Sequence, residues 1–396
     1  MGLYAVRTVS DADELAQLAP VWDALTGGVP FRGPTWLLTW WRHFGTALAA
    51  KSCGAQLFAL AVEDDGRLVG LAPWYVERSR VGGNVVRPLG SGKVCSDYLT
   101  LLAAPGNESG VAAAVVEYLC TTARCEWDRI DFDSAVVADP ALSALFREFA
   151  QRGLTIDREP RAHYWRVSLP DDWEAYLASL SKSHRKQLRR LATNVLDTPR
   201  AAWHTTDDVT EFERDWDVFV ELHQRRRQDL GEPGCFSDPT FAAFHQDVAR
   251  QLLQRGELRL HHLTLDGRPI AAEYHLGRGH TVFAYQSGIE PTALADEPGR
   301  LAAIAVVRQA IAAGFTTYDL LRGDEPYKAH WRAAPLATEQ VTVIGPRAAS
   351  RRRYAILGIA RKMRRLLQAR LRRSAPVAPS QHAMPNASPT PVAVES

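Results

Sequence analysis

The stretch Phe315-Thr-Thr-Tyr-Asp-Leu-Leu-Arg-Gly-Asp-Glu-Pro-Tyr-Lys-Ala-His-Trp331 decides how the fold of this chain is interpreted. A short apolar strand, residues 315–321, runs directly into a turn that contains Gly323 and Pro326. The ionisable side chains crowded into this segment are Asp319, Arg322, Asp324, Glu325, Tyr327, Lys328 and His330. Open α/β folds bind ligands at the carboxyl edge of the sheet, where buried strands end. The stretch therefore predicts an α/β fold with a site at this strand end, although an ordinary polar strand exit would look similar.

Two hairpins with the same turn indicate that the chain is duplicated. Apolar-rich runs flank Asp64-Asp-Gly-Arg67 in the first half and Asp266-Gly-Arg268 in the second half, and an Asp-Gly turn between such runs is typical of a β-hairpin. The turn glycines, Gly66 and Gly267, are 201 residues apart. A period of this length suits two similar domains rather than a solenoid. Coincidence among common α/β patterns is the alternative.

Each hairpin is followed by the same predicted order of strand, helix and short strand. In the first half these elements are residues 98–102, 111–121 and 127–132, and in the second half 281–287, 301–313 and 317–320. Helical spacing also predicts single helices over 172–195, 210–230 and 239 to 255. We therefore expect a supporting domain over residues 1–160, a catalytic domain over 161–346, a basic amphipathic helix over 347–373 and a disordered tail over 374–396.

Composition and charge narrow the class of protein. The 396 residues are 46% hydrophobic and 23% charged, which is typical of a globular protein of about two domains. Residues 347–373 hold eleven Lys or Arg and no acid. Removing these, and the single acid of the tail, from the totals of 47 basic and 45 acidic residues leaves 36 and 44, a net charge of −8 for residues 1–346. An acidic body argues against a nucleic-acid partner.

The location of the protein is predicted from what the sequence does not contain. Five scattered cysteines fit reduced thiols better than a disulfide framework, and they form no metal-ligand pattern. We recognise no leader and no membrane-spanning run. The expected location is cytoplasmic. The basic helix 347–373 either packs on the acidic body or lies on the anionic inner face of a membrane, and the sequence leaves both open.

The order of residues in the opening stretch resembles the signature of a known family. The string (F/Y)-D-(F/L)-L-x-G-x-x-x-Y-K-x-x-W is similar to that of the CelD-type acetyltransferase-like family, a branch of the GNAT superfamily related to Fem-type transferases. Further stretches that resemble the family are Trp22-x-x-Leu25 with Pro30-Phe31, Leu180-Ser181 with Arg185, and His223-x-x-Arg226 with Gly234-Cys235-Phe236. The resemblance spans roughly residues 20–345. It implies two tandem GNAT-like domains, each a mixed twisted sheet flanked by helices.

The resemblance also implies N-acyl transfer from acetyl-CoA or another acyl-CoA to an amine acceptor, most often an amino sugar or related intermediate of exopolysaccharide or cell-envelope biosynthesis. No metal is implied. Two alternatives stay open: a Fem-like transferase that takes an aminoacyl group from tRNA, and a non-catalytic assembly subunit held at the membrane by its basic helix. Binding of coenzyme A would separate the three.

Acyl transfer to an amine needs a base for the amine proton and an acid for the leaving thiolate. Glu273, on a predicted central strand, is the candidate base, and Tyr285, at the end of the next strand, is a candidate acid. Pairing with an arginine and simple packing are their structural alternatives. The remaining predicted catalytic residues lie in the signature, as Asp319, Tyr327 and Lys328. Lys328 is expected to bind a carboxylate or phosphate of the acceptor, and Asp319 to orient it or to act as base.

The predicted cofactor site is the turn that opens the helix 301–313, because free N–H groups and the helix dipole attract a pyrophosphate. Its residues are Glu297, Gly299, Arg300 and Leu301. This turn has one glycine and two acids, unlike the usual Q/R-x-x-G-x-G/A loop of acetyltransferases. The predicted acceptor-binding residues are His223, Arg226, Arg322 and Glu325.

Overall fold

The computed structural model describes residues 4–49, 54–79 and 82–358. In the first half of the chain the elements are β1 (Ala5–Val9), α1 (Ala12–Gln17), α2 (Ala19–Ala24), α3 (Pro34–Trp40), α4 (Thr46–Ala49), β2 (Ala55–Leu57), β3 (Ala59–Asp64), β4 (Arg67–Ala72), β5 (Trp74–Ser79), β6 (Gly83–Pro88), β7 (Leu102–Ala103), α5 (Glu108–Cys120), β8 (Arg129–Val136) and α6 (Pro140–Gln151). In the second half they are β9 (Ile156–Ser168), α7 (Trp173–Ser179), α8 (Lys182–Leu191), β10 (Ala201–Thr205), α9 (Val209–Asp229), α10 (Pro239–Gln254), β11 (Leu258–Leu265), β12 (Arg268–Arg278), β13 (Thr281–Ile289), α11 (Pro298–Ala312), β14 (Thr317–Arg322), α12 (Tyr327–His330) and β15 (Ala334–Ile344).

These strands form two twisted sheets flanked by helices, an antiparallel one and a mixed one. The smaller sheet has four strands in the order β1-β3-β4-β7, and the larger has eleven in the order β10-β11-β12-β13-β14-β9-β15-β8-β6-β5-β2. Most neighbours are antiparallel, but β13 pairs with β14 in parallel, and β6 pairs with β8 in parallel. The predicted α/β fold class is confirmed, and the larger sheet, to which both halves contribute, is mixed.

Both predicted hairpins form, and their turns have the same backbone. Asp65 and Gly66 have φ angles of 47° and 76°, and Asp266 and Gly267 have φ angles of 50° and 78°. Positive φ at both central residues is the type I′ turn, which matches the right-handed twist of the flanking strands and favours Asp-Gly. A local sequence signal was therefore enough to place both turns.

The hairpins also share a β-bulge that their sequences do not predict. The β3–β4 register shifts between Val62 and Glu63, and the β11–β12 register shifts between Leu263 and Thr264. The two bulges are 201 residues apart, as are the turn glycines. Because a bulge depends on how a strand bends within its sheet, its recurrence at the same offset supports duplication more strongly than the turn alone.

The halves are joined through their strands. The strand β9 lies between β14 and β15, and β15, from the end of the second half, pairs with β8 of the first half. The predicted domain boundary after residue 160 falls inside β9. Division of the chain at that point stays a prediction, and no linker separates the halves there.

Two predicted elements of the sequence analysis were wrong. The helix predicted over 172–195 is broken, because Leu180 is extended with ψ 160° and Ser181 caps a new helix by accepting a hydrogen bond from the His184 N–H at 3.4 Å. The strand predicted over 98–102 is only β7, since Tyr98 has a φ of 63° that a strand cannot contain. The helices predicted over 210–230 and 239–255 are confirmed as α9 and α10.

Aromatic side chains pack across the junction of the two halves. Trp36 of α3 is fully buried, with ring centroids 5.2 Å from Phe244 of α10 and 5.3 Å from Tyr285 of β13, both in edge-on geometry. Behind this cluster, α9 lies so close to β13 that a Cβ on Gly288 would be 2.3 Å from the main-chain nitrogen of His223. Glycine is therefore required where this helix crosses the sheet.

The predicted basic helix begins as expected, since residues 348–358 are helical. Its start is fixed to the first half by Asp128, which accepts hydrogen bonds from Ser350 at 2.6 Å and from Arg347 and Arg353 at 2.9 Å. Ile356 is 66% exposed. The rest of the predicted helix and the tail, residues 359–396, lie outside the described residues, and membrane contact stays a prediction.

Candidate active site

The signature strand end is held by a buried lysine. Lys328 is 2% exposed, and its Nζ donates to the carbonyl oxygens of Leu321, Arg322 and Gly323 at 3.3, 3.0 and 3.1 Å. Leu321 has a φ of 53°, a conformation that costs a branched side chain roughly 1–2 kcal/mol. Nζ is also 3.0 Å from the Glu325 carboxylate. Its N–H donors are thus engaged in holding an unusual turn, and acceptor binding by Lys328 would have to break these contacts.

Asp319 is also part of the internal structure. It has no exposed surface, and its carboxylate accepts hydrogen bonds from the Tyr98 hydroxyl at 2.5 Å, Arg166 Nε at 2.8 Å and the Leu321 N–H at 2.9 Å. Burial raises the pKa of Asp319, while the bonds from Tyr98 and Arg166 oppose the rise. A carboxylate with no exposed surface and three donors is a structural partner, so the predicted role of Asp319 as an accessible base lacks geometric support.

Arg322, predicted to bind the acceptor, pairs with the first half of the chain. Its Nε and Nη2 donate to one oxygen of Asp97 at 3.1 and 2.7 Å, and its N–H donates to the other oxygen at 3.1 Å. Asp97 is 2% exposed, and burial raises its pKa against the lowering charge of Arg322. A third of the Arg322 side chain stays exposed. Arg322 therefore links the halves and still faces solvent.

The partners of the signature come from a loop that the sequence analysis did not recognise. Residues 89–99, here called the junction loop, contact the second half through Lys93 Nζ with Asp238 at 2.6 Å and through the Val94 carbonyl with the Tyr285 hydroxyl. Asp97 and Tyr98 follow with the contacts described above. The run Gly90-Ser-Gly92, followed by Asp97 and Tyr98, was an available signal, because it combines turn glycines with polar groups as the signature does.

Glu273 is the predicted catalytic residue that geometry supports best. It lies on β12 and is 7% exposed, and its Oε2 is 3.0 Å from Nε2 of His275, which is 1% exposed. Nδ1 of His275 is buried and has no partner among the described residues. The contact with His275 involves Oε2 of Glu273 and leaves Oε1 available. A carboxylate with one oxygen fixed and the other available can accept a proton.

Tyr327, in the signature, is close enough to Glu273 for the charge of that carboxylate to affect the pKa of its hydroxyl. The side chain is half exposed. Partial desolvation, together with the charges of Glu325 and Glu273, raises the pKa of Tyr327 to about 12. At neutral pH its hydroxyl is therefore protonated and can donate a hydrogen bond. Tyr327 and Glu273 are the two predicted catalytic residues whose surroundings leave them free to meet a ligand.

Tyr285, His223 and Arg226 do not join this group. The Tyr285 hydroxyl is buried, donates to the Val94 carbonyl and lies 3.1 Å from Nε2 of His245, and burial raises its pKa well above the ordinary value. His223 is 1% exposed and faces Cys235 at 3.6 Å, and burial lowers its pKa. Arg226 pairs with Asp229 on its own helix at 2.9 Å. His223 and Arg226 lie one helical turn apart, but their side chains contact different residues.

The predicted cofactor turn fits a pyrophosphate only in part. Two basic side chains, Arg190 and Arg300, converge with Gln187 at the start of α11, but they bind the carboxylate of Glu297, with Gln187 and Arg190 at 3.3 Å. The N–H groups of Arg300 and Leu301 bond the Glu297 carbonyl at 3.0 Å. Pro298 has no N–H. The side chains suit an anion, whereas most of the backbone donors are already used and an internal carboxylate lies in front of them.

The β13 and β14 strands diverge beside these residues. Their parallel pairing covers three positions, from Thr281 with Thr317 to Phe283 with Asp319, and β13 then continues to Ile289 without β14. The main-chain groups of β13 on that side are left without a strand partner beyond Phe283. Such an edge can accept an extended chain with amide groups as if it were another strand.

Neither a metal centre nor a membrane span is found in the part of the chain that the structure describes. No group of three or more His, Cys, Asp or Glu side chains there is arranged to hold a metal ion. No helix within the same ranges is long and apolar enough to cross a membrane.

Comparisons with known proteins relate part of the chain to a described domain family and most of the chain to several solved structures. Residues 179–329 match the family described as acetyltransferase (GNAT) domain. A comparison with curated protein sequences gave no match. Among solved structures, FemX is similar with a TM-score of 0.58 and 11% identity, over 85% of this chain and 96% of that one.

Two further solved structures have the same fold at low identity. A conserved protein of unknown function from Bacteroides thetaiotaomicron has a TM-score of 0.52 and 10% identity, over 86% of this chain and 100% of that one. The C-terminal domain of a putative lysylphosphatidylglycerol synthetase from Agrobacterium fabrum has a TM-score of 0.51 and 9% identity, over 88% and 96%. The CelD-type assignment itself is not among these matches. Residues 179–329, which hold Glu273, α11 and most of the signature, thus match the GNAT acetyltransferase domain, and the overall fold is similar to that of FemX.

Proposed function

We propose that the protein is an N-acyltransferase that moves an acyl group from an acyl-CoA to an amine acceptor, with an amino sugar or related intermediate of exopolysaccharide or cell-envelope biosynthesis as the acceptor class. The observation that carries this proposal is the divergence of β13 and β14 inside the region that matches the GNAT domain. The free edge of β13 suits the amide-containing arm of coenzyme A, which would bring a thioester between the two strands.

In this reaction Glu273 accepts the proton that the amine loses as it attacks the acyl carbon. His275 is buried and lies 3.0 Å from one carboxylate oxygen of Glu273. This contact fixes the carboxylate, so that its other oxygen can accept the proton. Tyr327 is the candidate donor of a proton or hydrogen bond to the departing thiolate, because its hydroxyl stays protonated at neutral pH. Loss of a positioned proton acceptor typically costs between about 10² and 10⁴ in rate.

The test measures acetyl transfer from acetyl-CoA to a panel of amino sugars, monitored through the release of the free thiol of coenzyme A. Glu273→Gln is the active-site variant. The expected result is thiol release that depends on the amine and falls at least about a hundredfold in the variant. Glu221→Gln, on the exposed surface of α9, is the matched control and should behave as the parent chain. An unchanged rate in Glu273→Gln would refute the role of Glu273.

A second candidate is a Fem-like transferase that takes an aminoacyl group from tRNA. The observation that favours it is the occupied start of α11, where Glu297 already lies against Arg190 and Arg300. The comparison of the parent chain with Glu297→Gln separates the candidates. If coenzyme A is the donor, removing the internal carboxylate should tighten its binding, measured by calorimetry. If neither form binds coenzyme A and charged tRNA is retained, the second candidate is correct.

A further inference from the structure

A cleft opens where the two halves meet. Its walls are the junction loop, residues 132–134 of β8 and the side chain of Arg322; we call it the junction cleft. Gly90 and Gly92 line it with φ angles of 85° and 99°. A Cβ on Gly92 would meet no atom within 4 Å, so the cleft is open above this residue.

One wall of the junction cleft carries a positive charge with unused donors. Arg322 binds Asp97 through Nε and Nη2, and Nη1 makes no hydrogen bond with the described residues. The Asp97 side chain is 3% exposed, whereas that of Arg322 is 33% exposed, so the guanidinium rather than the carboxylate faces the opening. The N–H groups of Gly92 and Ser96 likewise have no partner within the described ranges. This wall suits an anion.

The opposite wall carries a carboxylate that is poorly neutralised. Asp133 lines the junction cleft with 46% of its side chain exposed, and its nearest cation, Arg87, is 3.9 Å away. Arg87 lies closer to Asp131, at 3.2 Å, and also contacts Glu77 at 3.7 Å. Asp131 is also paired with Arg129, at 2.9 Å, whereas the described residues give Asp133 only the long contact with Arg87, so the Asp133 carboxylate is weakly paired. An ammonium group is its natural partner.

We propose that the junction cleft binds a small compound that carries an anionic group, a carboxylate or a phosphate, close to an ammonium group. The anion binds Arg322 Nη1 and the free N–H groups of the junction loop, and the ammonium binds Asp133. An amine without an anion satisfies only one wall, and an anion without an amine is repelled by the other. Four strands separate β8, which carries Asp133, from β12, which carries Glu273, so this binding site is separate from the candidate catalytic residues and does not rest on the proposed function.

Cys95 provides a direct reporter, because its exposed side chain lines the same cleft. Partial desolvation raises the pKa of the Cys95 thiol, so alkylation is measured at mildly alkaline pH. Cys125 is exposed and does not line the cleft, which makes it an internal control in the same chain. The full chain is treated with iodoacetamide, and each modified peptide is quantified by mass spectrometry over time.

The probes form a matched series. Glucosamine has the amine alone, glucose 6-phosphate has the anion alone, and glucosamine 6-phosphate and muramic acid have the amine with a phosphate or a carboxylate. We expect half-protection of Cys95 at a concentration at least about tenfold lower for the last two than for the first two, since a charge-assisted bond is worth about that factor. The better of the last two identifies the anion. Alkylation of Cys125 should not change.

Two variants test the walls separately. Asp133→Asn should remove the preference for glucosamine 6-phosphate over glucose 6-phosphate, while Asp207→Asn, an exposed acid of the second half, should retain it. Arg322→Lys should weaken the binding of both phosphates. Because Arg322 also holds Asp97, this loss supports the proposal only together with the expected result for Asp133→Asn, which leaves the Arg322–Asp97 pair intact. Equal protection by all four probes, or by none, would overturn the proposal.

Failure of this proposal differs from failure of the proposed function. Protection of Cys95 by the anionic amines without any acyl transfer supports the cleft assignment and refutes the proposed function. Acyl transfer without selective protection of Cys95 by the anionic amines supports the proposed function and refutes the cleft assignment.

Discussion

The two hairpin units share a turn and a bulge, but the strands that follow them are used differently. In the second half, β13 and β14 are neighbours that pair in parallel and then diverge. In the first half, β7 has two residues and stays in the small sheet, while β8 lies in the large sheet between β6 and β15. One copy keeps its own cleft, and the other has contributed its last strand to a common sheet. The second half therefore carries the candidate site, and the first half packs against it through the junction loop.

The strongest test of this division is the contact between the halves at Asp319. Asp319→Ala leaves the Tyr98 hydroxyl, Arg166 Nε and the Leu321 N–H without their acceptor. We expect a loss of about 3 kcal/mol in the free energy of unfolding, measured with urea, because a broken buried pair leaves uncompensated groups. Asp324→Ala in the same turn, where the side chain is 48% exposed, should cost less than about 1 kcal/mol. Similar losses in both variants would mean that Asp319 does not join the halves.

The second test concerns packing that belongs to the second half alone. Gly288→Ala puts a Cβ within 2.3 Å of the His223 nitrogen and 2.7 Å of the Leu222 carbonyl carbon, both main-chain atoms of α9. We expect a loss of about 2 kcal/mol or more, because neither backbone can yield. Gly299→Ala, whose Cβ meets only Ile289 at 3.9 Å, should be neutral or stabilising in the first turn of α11. Thermal and urea unfolding of both variants decide this.

The third test concerns how the first half holds the C-terminal helix. Burial would raise the pKa of Asp128, but hydrogen bonds from Ser350 and Asn84 and the charges of Arg347 and Arg353 lower it overall. Its stabilisation is therefore present above about pH 4, the ordinary aspartate range, and is lost as pH falls through the lower pKa of the folded protein. Asp128→Asn should cost about 1–2 kcal/mol at neutral pH and less at about pH 3. An equal cost at both pH values would contradict an ionic anchor.

The fourth test, which has the smallest expected effect, compares the same substitution at equivalent positions of the two hairpins. Gly66 and Gly267 have φ angles of 76° and 78°, and a Cβ at either would meet nothing within 4 Å. Each Gly→Ala change should therefore cost about 1 kcal/mol, through backbone strain alone. The two losses should agree within a few tenths of a kcal/mol if the halves unfold together. A clear difference in urea unfolding, or a second transition in one variant, would show that the hairpins belong to separately unfolding units.

Much of the fold could be predicted because its signals are local. Asp-Gly turns require positive φ and appear in sequence as themselves, and Asp238 with Pro239 marks the start of α10. The break between α7 and α8 was missed, because apolar spacing continues across Leu180 while the capping Ser181 was read as part of the helix. The strand predicted at 98–102 failed because buried loop residues can imitate a buried strand.

The site was predicted less well, because residue type does not reveal the partner. Glu273 was identified from its strand, but His275, two residues further, was not recognised as the group that fixes it. Lys328 and Asp319 were predicted as catalytic from their chemistry. Their contacts instead hold the turn and join the halves, and the roles predicted for them still await a direct test.

By itself, the sequence determined the α/β class, the two hairpins, the repeat of 201 residues and the location of the signature at a strand end, because turns, caps and apolar periods act over a few neighbouring residues. Only the tertiary structure decided what the signature binds. Asp319 meets Tyr98 across 221 positions, and Arg322 meets Asp97 across 225. Such pairs depend on how β9 and β15 bring the halves into one sheet, and no local propensity encodes that distance.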